Sequence, residues 1–277
     1  MGLKQKDRGV YQYIRVMFQD EDEEKEKEKV WLLSLEDVEE ILSYKFSDKN
    51  LLKEAFTHPS YYYPDDTKES YERLELLGDS VLNLIISKEM FLLYPDSSPG
   101  LLTRLRAANV DNEKLARVAF KYRLYPYLRH KAPDMEDQVQ AFSNDIQNYP
   151  VHSYGLIDTP KFLADIVESI IGAVFIDSNY SLDTVWKVFK RLLEPIIGPK
   201  TLRIHPMTEL YELCQKNKIS INFVDGSKSE TYKTFSVVLE NNIVIGTSTC
   251  ASRKEIVKNR AAKAALDHLK ATLPSAN

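Results

Sequence analysis

The sequence predicts a mainly α-helical protein in which a larger helical domain precedes a small α-β-β-β-α domain. Apolar residues recur at helical spacing through most of residues 30–198, whereas three short β-type runs occur only after residue 206. With 277 residues, 43% of them hydrophobic, the chain is long enough to bury a core in each of two domains.

Composition limits the compartment and the partners. No apolar run reaches about 18 residues, so no transmembrane helix and no membrane partner are expected. The polar N-terminus does not resemble a signal peptide. With only two cysteines, Cys214 and Cys250, a disulfide framework is not expected, which favours an intracellular location in the nucleus, the cytoplasm or both.

Charge is distributed unevenly along the chain. The formal net charge is -4, yet residues 206–277 contain ten Lys/Arg against seven Asp/Glu. A basic C-terminal piece joined to an acidic helical piece is typical of a nucleic-acid-binding module attached to a metal-using domain.

The N-terminal third begins with a charged segment. Residues 1–29 end in a mixed-charge run and are predicted to form a disordered tail or a frayed helix. Two short helices are expected within residues 30–65, the first capped by Ser34 and the second closed by Phe56-Thr57-His58-Pro59-Ser60. We interpret His58 as a structural residue that bonds this turn, with metal ligation or general-base catalysis as alternatives.

Five helices are predicted between residues 69 and 196. Prolines at 126, 133, 150 and 160 predict that residues 125–160 form a connecting excursion with one helix inside it. Arg104 and Arg106 either meet phosphate or pair with the acidic helices. The predicted helices cover residues 69–94, 101–120, 135–146, 161–175 and 181–196.

The first of these helices has an acidic stripe. At about 100° per residue, its members fall within roughly 80° of one another. Acidic groups on one stripe repel each other unless solvent or a cation compensates. A solvated acidic face is the ordinary explanation, so the stripe alone does not establish a metal site. The stripe consists of Glu72, Glu75, Asp79 and Asn83, with Leu74, Leu77, Val81, Leu84 and Ile85 on the other side.

A second acidic stripe lies far downstream, where Asp165 and Glu168 share one helix face with Gly172. A helical glycine costs about 1 kcal/mol relative to alanine, which is tolerable where another helix must approach closely. Gly78 lies beside the first stripe, so the two helices are predicted to cross at these glycines. Without a cation, the buried carboxylates would be very costly, whereas Mg²⁺ would make them favourable. The four carboxylates brought together are Glu75, Asp79, Asp165 and Glu168.

The C-terminal region has a different pattern. A linker is expected at residues 199–205, and residues 206–272 are predicted to form the second domain. A capping box over Ser252-Arg253-Lys254-Glu255 predicts the start of its last helix, which reaches about Leu269. The preceding elements are a helix from Thr208 to Asn217 and strands at Ile219–Val224, Thr234–Leu239 and Ile243–Thr249.

One stretch carries a family resemblance. Tyr71-Glu72-Arg73-Leu74-Glu75-Leu76-Leu77-Gly78-Asp79-Ser80-Val81-Leu82 resembles the signature of the ribonuclease III family. Phe56–Ser60, Leu102–Arg106 and Leu163–Ala173 resemble further family blocks in the same order, and the C-terminal piece is similar to a double-stranded-RNA-binding domain. The layout is most like plant ribonuclease-three-like proteins and the second nuclease domain of Dicers. The resemblance implies an all-helical endonuclease domain at residues 30–198.

The resemblance also implies an activity. The metal ligands of the resembled family match Glu75, Asp79, Asp165 and Glu168, the four residues that helical geometry selects. It implies a Mg²⁺-dependent endoribonuclease, with Mn²⁺ able to substitute, that cleaves double-stranded RNA rather than a small molecule and leaves 5′-phosphate and 3′-hydroxyl ends. Glu72 and Asn83 are expected to support the site, and a plain solvent-exposed role is the alternative.

Leu76 predicts an assembly. On the helical wheel it lies beside the carboxylates, so an isolated domain would expose it. In the resembled family, the matching apolar residue inserts into a partner domain, which implies an isologous homodimer.

The C-terminal domain is expected to bind duplex RNA by shape. By resemblance, Thr208 and Glu212 face a minor groove. The basic ladder has two possible registers, because Ser252 to Leu266 is one residue longer than the usual helix pattern. The capping box favours Arg253 and Lys254 on the first turn, with Lys258 one turn further on. The family's Gly-Pro-x-His loop is missing, with Thr231 at the His position, so weak and salt-sensitive binding is expected.

Two other classes compete with this interpretation. A non-catalytic RNA-binding protein on the same scaffold is the closer rival, and the four intact carboxylates argue against it. A di-iron helical protein needs Glu-x-x-His pairs, which neither stripe contains. The sequence does not identify the physiological RNA.

Overall fold

The computed structural model describes residues 25–65, 69–227, 229 and 231–273, so most of the predicted charged tail lies outside it. The described part confirms a mainly helical chain that ends in a three-stranded sheet with helices. Its helices are α1 (25–42), α2 (Lys49–Ala55), α3 (Glu72–Leu93), α4 (Pro99–Val110), α5 (Asn112–Lys121), α6 (Met135–Ile146), α7 (Lys161–Asp177), α8 (Leu182–Phe189), α9 (Pro206–Asn217) and α10 (Lys254–Thr272). The strands are β1 (Ile221–Asp225), β2 (Lys233–Leu239) and β3 (Val244–Cys250).

The chain forms two compact units that interleave along the sequence. Of the described residues, the first unit combines those up to Ile85 with Lys121–Ala132 and Asp165–Leu192. The second unit combines Ile86–Phe120, Pro133–Ala164 and the described residues from Leu193 onward.

Among the helices that the structure describes, none combines the length and apolar character needed to cross a membrane.

Several helix boundaries differ from the sequence prediction. Ser34 does not cap α1, because the helix already includes residue 25 and the Ser34 hydroxyl donates to the carbonyl of Trp31 at 2.6 Å. The single helix predicted over residues 101–120 is wrong, since Asp111 breaks it into α4 and α5. The Asp111 backbone is extended and its carboxylate accepts from the Lys114 N–H at 2.8 Å, which caps α5. The helix predicted over 181–196 ends at Phe189.

Helices α3 and α7 cross in contact through their glycines, as predicted. A Cβ on Gly78 would overlap the carbonyl oxygen of Glu168 and lie 2.6 Å from its carbonyl carbon. A Cβ on Gly172 would overlap the carbonyl oxygen of Leu74 and lie 3.0 Å from its carbonyl carbon. The two backbones therefore touch on both sides of the crossing, with no room for a side chain.

Helix α7 lacks a solvated face through its middle. Every residue from 165 to 174 is buried, which is the pattern of a core helix rather than of a surface amphipathic one. The acidic side chains of α7 therefore face protein, so the solvated-face explanation does not hold for them.

The C-terminal sheet is antiparallel in the order β1-β2-β3. Its core joins the sheet to α9 and α10 through Leu210, Phe235, Val237, Val257 and Ala261. The predicted capping box at the start of α10 is wrong by one residue. Arg253 occupies the N-cap position and makes no side-chain capping bond.

We predict that Gly78→Ala lowers the free energy of unfolding by about 3 kcal/mol, because its methyl group meets backbone that cannot move aside. Urea unfolding measures the change. Gly100→Ala in α4 is the matched control, since nothing lies within 4 Å of its Cβ position and alanine there should stabilise by up to about 1 kcal/mol. Equal stabilities for the two variants would contradict the close crossing.

Candidate functional site

Three carboxylates from α3 and α7 converge in the first unit. Glu75, Asp165 and Glu168 each offer an oxygen, and these atoms all lie within 4.8 Å of one another. Asp165 and Glu168 are only 5% and 6% exposed, while Glu75 is half-buried. The crossing of the two helices at their glycines is what brings the three side chains together.

Asp79, the fourth predicted ligand, lies one turn further along α3 and does not belong to this close group. Its Oδ1 accepts from the Asn83 side-chain amide at 2.8 Å, and the same amide reaches the Asp79 carbonyl oxygen at 3.0 Å. Asp79 and Asn83 thus form a local pair beside the three carboxylates. Glu72 is exposed and accepts from the Ser70 hydroxyl at 3.0 Å.

The donor set fits a hard divalent cation. Three like charges at such short range, two of them almost fully buried, are unfavourable unless positive charge compensates them. All the donors are carboxylate oxygens, which Mg²⁺ and Mn²⁺ prefer and which soft metals do not.

Tyr71 is a site residue that the sequence interpretation did not select. It is 3% exposed, and its hydroxyl donates to Oδ2 of Asp165 at 3.0 Å. Burial, together with the charge of Asp165, raises the pKa of Tyr71, so the phenol remains a neutral donor. In the sequence, Tyr71 falls three residues before Leu74 and resembles a core position. Only its hydroxyl distinguishes it from phenylalanine there.

His58 has the structural role that we favoured. Its Nδ1 accepts from the Ser60 N–H at 3.0 Å, which closes the turn after Pro59. Its ring packs nearly perpendicular to the ring of Tyr71, with centroids 5.6 Å apart. Burial lowers the pKa of His58, which favours the neutral ring that accepts this bond.

Leu76 is exposed on the same helix, as predicted, with 73% of its surface accessible. Leu84 is also exposed, at 55%, although the pattern had placed it opposite the acidic stripe. Leu76, Ser80 and Leu84 are successive every-fourth positions, so they form a strip along α3. An apolar strip that faces solvent is a candidate contact surface.

The predicted RNA-binding residues lie in the second unit. Thr208 and Glu212 are exposed on α9. Lys254 pairs with Asp225 at 2.8 Å and, with Ser227, holds the pKa of Asp225 below its ordinary value. The Lys258 ammonium lies 4.9 Å from the centroid of the Phe223 ring.

Arg253 is engaged by another part of the same unit. Its Nε donates to Oδ1 of Asp158 at 2.5 Å, and its backbone N–H donates to Oδ2 at 3.2 Å. Its Nη2 reaches the Thr159 carbonyl at 3.2 Å. The Asp158 carboxylate thus sits at the start of α10, where backbone N–H groups and the helix dipole favour an anion.

Two segments match known families. Residues 72–179 match the Ribonuclease III domain, and residues 206–269 match the Double-stranded RNA binding motif. Both matches agree with the order of domains that the sequence predicts.

Relatives cover most of the chain. It is 52% identical to Ribonuclease 3-like protein 3 of Oryza sativa subsp. japonica over 85% of this chain and 78% of that protein. It is 42% identical to Ribonuclease 3-like protein 2 of Arabidopsis thaliana over 87% of this chain and 61% of that protein. It is also 40% identical to Endoribonuclease Dicer homolog 1 of Oryza sativa subsp. japonica, over 86% of this chain but only 13% of that protein.

We predict that Glu168→Gln raises the free energy of unfolding in EDTA by about 1 kcal/mol, because it removes one of three mutually repelling charges. We also expect Mg²⁺ to raise the melting temperature of the wild-type protein and to have much less effect on this variant. Differential scanning calorimetry with and without Mg²⁺ tests both statements. Glu36→Gln on the exposed face of α1 is the control. A wild-type melting temperature independent of Mg²⁺ would contradict the metal assignment.

Proposed function

This chain belongs to the ribonuclease III family of endoribonucleases, and from that premise we propose that it hydrolyses double-stranded RNA in a Mg²⁺-dependent reaction that leaves 5′-phosphate and 3′-hydroxyl ends. We assign the endonuclease domain to residues 30–198, the linker to 199–205 and the RNA-binding domain to 206–272. The observation that carries the proposal is that carboxylate oxygens of Glu75, Asp165 and Glu168 all lie within 4.8 Å of one another.

Each acidic residue has a separate role in the proposed site. Glu75, Asp165 and Glu168 would hold a divalent cation directly. Asp79 would complete the set from the next turn of α3, with Asn83 orienting its carboxylate. When bound, Mg²⁺ supplies an activated water and stabilises the leaving oxygen of the phosphodiester. Glu72, exposed beside the site, is assigned to contact with the RNA or with outer-sphere water.

We expect wild-type protein to cleave long duplex RNA in Mg²⁺, with both Asp79→Asn and Glu168→Gln reducing the rate at least about 100-fold. Changes outside the ligand shell alone cost about 10- to 100-fold in metal sites. Denaturing electrophoresis measures cleavage, and end labelling after phosphatase treatment identifies the termini. Glu36→Gln should cleave at the wild-type rate.

Duplex binding without cleavage by the wild-type protein would favour the rival function, a non-catalytic RNA-binding protein. Cleavage by the wild type and both site variants at equal rates would refute the assigned ligands.

We assign the exposed strip of Leu76, Ser80 and Leu84 to an isologous contact between two copies of the chain. Two exposed leucines on one helix are unfavourable in water, and a two-fold axis would bury each strip against its copy. Leu76 lies directly after the ligand Glu75, so this contact would set two metal centres beside one duplex.

Leu76→Asp should raise the dimer dissociation constant more than about 30-fold, because a charge would be buried at the contact. Sedimentation velocity measures the change, and circular dichroism verifies the fold. Leu33→Asp is the control, since Leu33 is also exposed, at 57%, but lies on α1. A Leu76→Asp protein that still sediments as a dimer would exclude this contact surface.

A further proposal concerns how Asp158 affects RNA binding at the start of α10. Asp158 holds Arg253 at the start of α10, the place where we assign a contact with an RNA phosphate. The Nε–H and the backbone N–H of Arg253 already donate to Asp158, so an RNA phosphate that takes these two donors has to displace the Asp158 carboxylate. This competition adds to the missing loop motif as a reason for weak binding.

Asp158→Asn should therefore raise the affinity for duplex RNA about threefold, the scale of an exposed ion pair. Fluorescence anisotropy in EDTA measures binding without cleavage. Asp267→Asn makes the same charge change on α10 but breaks the Lys263–Asp267 pair instead. Equal gains for the two variants would mean that only net charge, and not the release of Arg253, controls affinity.

A further inference from the structure

Tyr71 links the two helices that carry the carboxylates. Its hydroxyl reaches Oδ2 of Asp165 on α7 at 3.0 Å. Its backbone carbonyl accepts from the Glu75 N–H on α3 at 2.8 Å, and its own N–H donates to the Thr57 carbonyl at 2.9 Å. One residue thus fixes the start of α3 and one oxygen of a carboxylate on α7.

The surroundings of Tyr71 hold its hydroxyl in place. The side chain is 3% exposed, and the His58 ring packs nearly perpendicular to its ring. His58 is itself fixed by the turn bond to Ser60. The donor is therefore preorganised rather than recruited when a cation arrives.

We propose that Tyr71 is a positioning residue for the metal centre, which acts by orienting the carboxylate of Asp165. The inference rests on the proposed metal-dependent function. Partners of this kind, which bond a ligand without touching the metal, typically change metal affinity about 10- to 100-fold when they are removed. With Oδ2 bonded to Tyr71, the carboxylate plane is restrained, so the order of Asp165 does not depend on a bound cation.

The chain contains a matched control for this hydrogen bond. Tyr44 donates to Oδ2 of Asp177 at 2.7 Å, and Asp177 lies on the same helix as Asp165. The two aspartates are twelve residues apart, or about 18 Å along the helix axis. Tyr44→Phe and Tyr71→Phe thus each remove one tyrosine–aspartate bond to α7, but only the latter bond involves the metal centre.

The test measures metal binding by the full chain, without RNA. Free Mn²⁺ is followed by electron paramagnetic resonance, and melting temperature is followed against Mg²⁺ concentration. We expect Tyr71→Phe to raise the half-saturating metal concentration about 10-fold. Tyr44→Phe should leave it unchanged, even if both variants lose stability. At saturating Mg²⁺, the cleavage rate of Tyr71→Phe should recover toward that of the wild type.

Tyr71→Phe with an unchanged metal midpoint would overturn the proposal and leave Tyr71 with a purely structural role. If this variant melts lower than Tyr44→Phe, the Mn²⁺ titration at low temperature compares the two at equal folded fraction, and equal midpoints there would also overturn the proposal. The proposed function fails differently, namely if the wild-type protein itself binds neither Mg²⁺ nor Mn²⁺.

Discussion

The first unit depends on one electrostatic constraint, which is that carboxylates of like charge must be held together inside protein. Such a cluster does not assemble by attraction among its members, so the backbone has to impose it. Here the contact between α3 and α7 at Gly78 and Gly172 does so, because the helices approach until carbonyl groups touch. Burial of α7 through its middle then prevents the acidic side chains from turning toward water.

Around this crossing, neutral donors reduce the cost of the charge. Tyr71 donates to Asp165, and Asn83 donates to Asp79. Tyr71 bonds a carboxylate on α7 from outside that helix, whereas Asn83 bonds a carboxylate one turn away on its own helix. The Asp165 carboxylate is therefore restrained by a bond between two elements, and the Asp79 carboxylate by a bond within α3.

Sequence reasoning succeeded where periodicity and composition determine the structure. The two acidic stripes, the glycine crossing, the exposure of Leu76 and the α-β-β-β-α order all follow from spacing along the chain. It failed where a single side chain competes with the helical pattern. Asp111 ends α4 by capping α5. The spacing of apolar residues gives no sign of this break.

Hydrogen-bond partners that are distant along the chain also could not be predicted from the sequence. The bond from Tyr71 to Asp165 and the bond from Arg253 to Asp158 join residues 94 and 95 positions apart. Nothing in the local sequence around Tyr71 or Arg253 specifies such a distant partner. The exposure of Leu84 was likewise not predictable, because a helical wheel gives the direction of a side chain and not what covers it.

The glycine crossing has a consequence for which ions the proposed metal centre would accept. Where helices are separated by side chains, rotamer changes let the gap widen, but backbone in contact with backbone has no such freedom. Mg²⁺ needs oxygens at about 2.0–2.1 Å and Ca²⁺ at about 2.3–2.6 Å, with more ligands. A rigid crossing sets the spacing between α3 and α7 before any ion binds. Discrimination by ionic radius would thus reside in two residues that have no side chain at all.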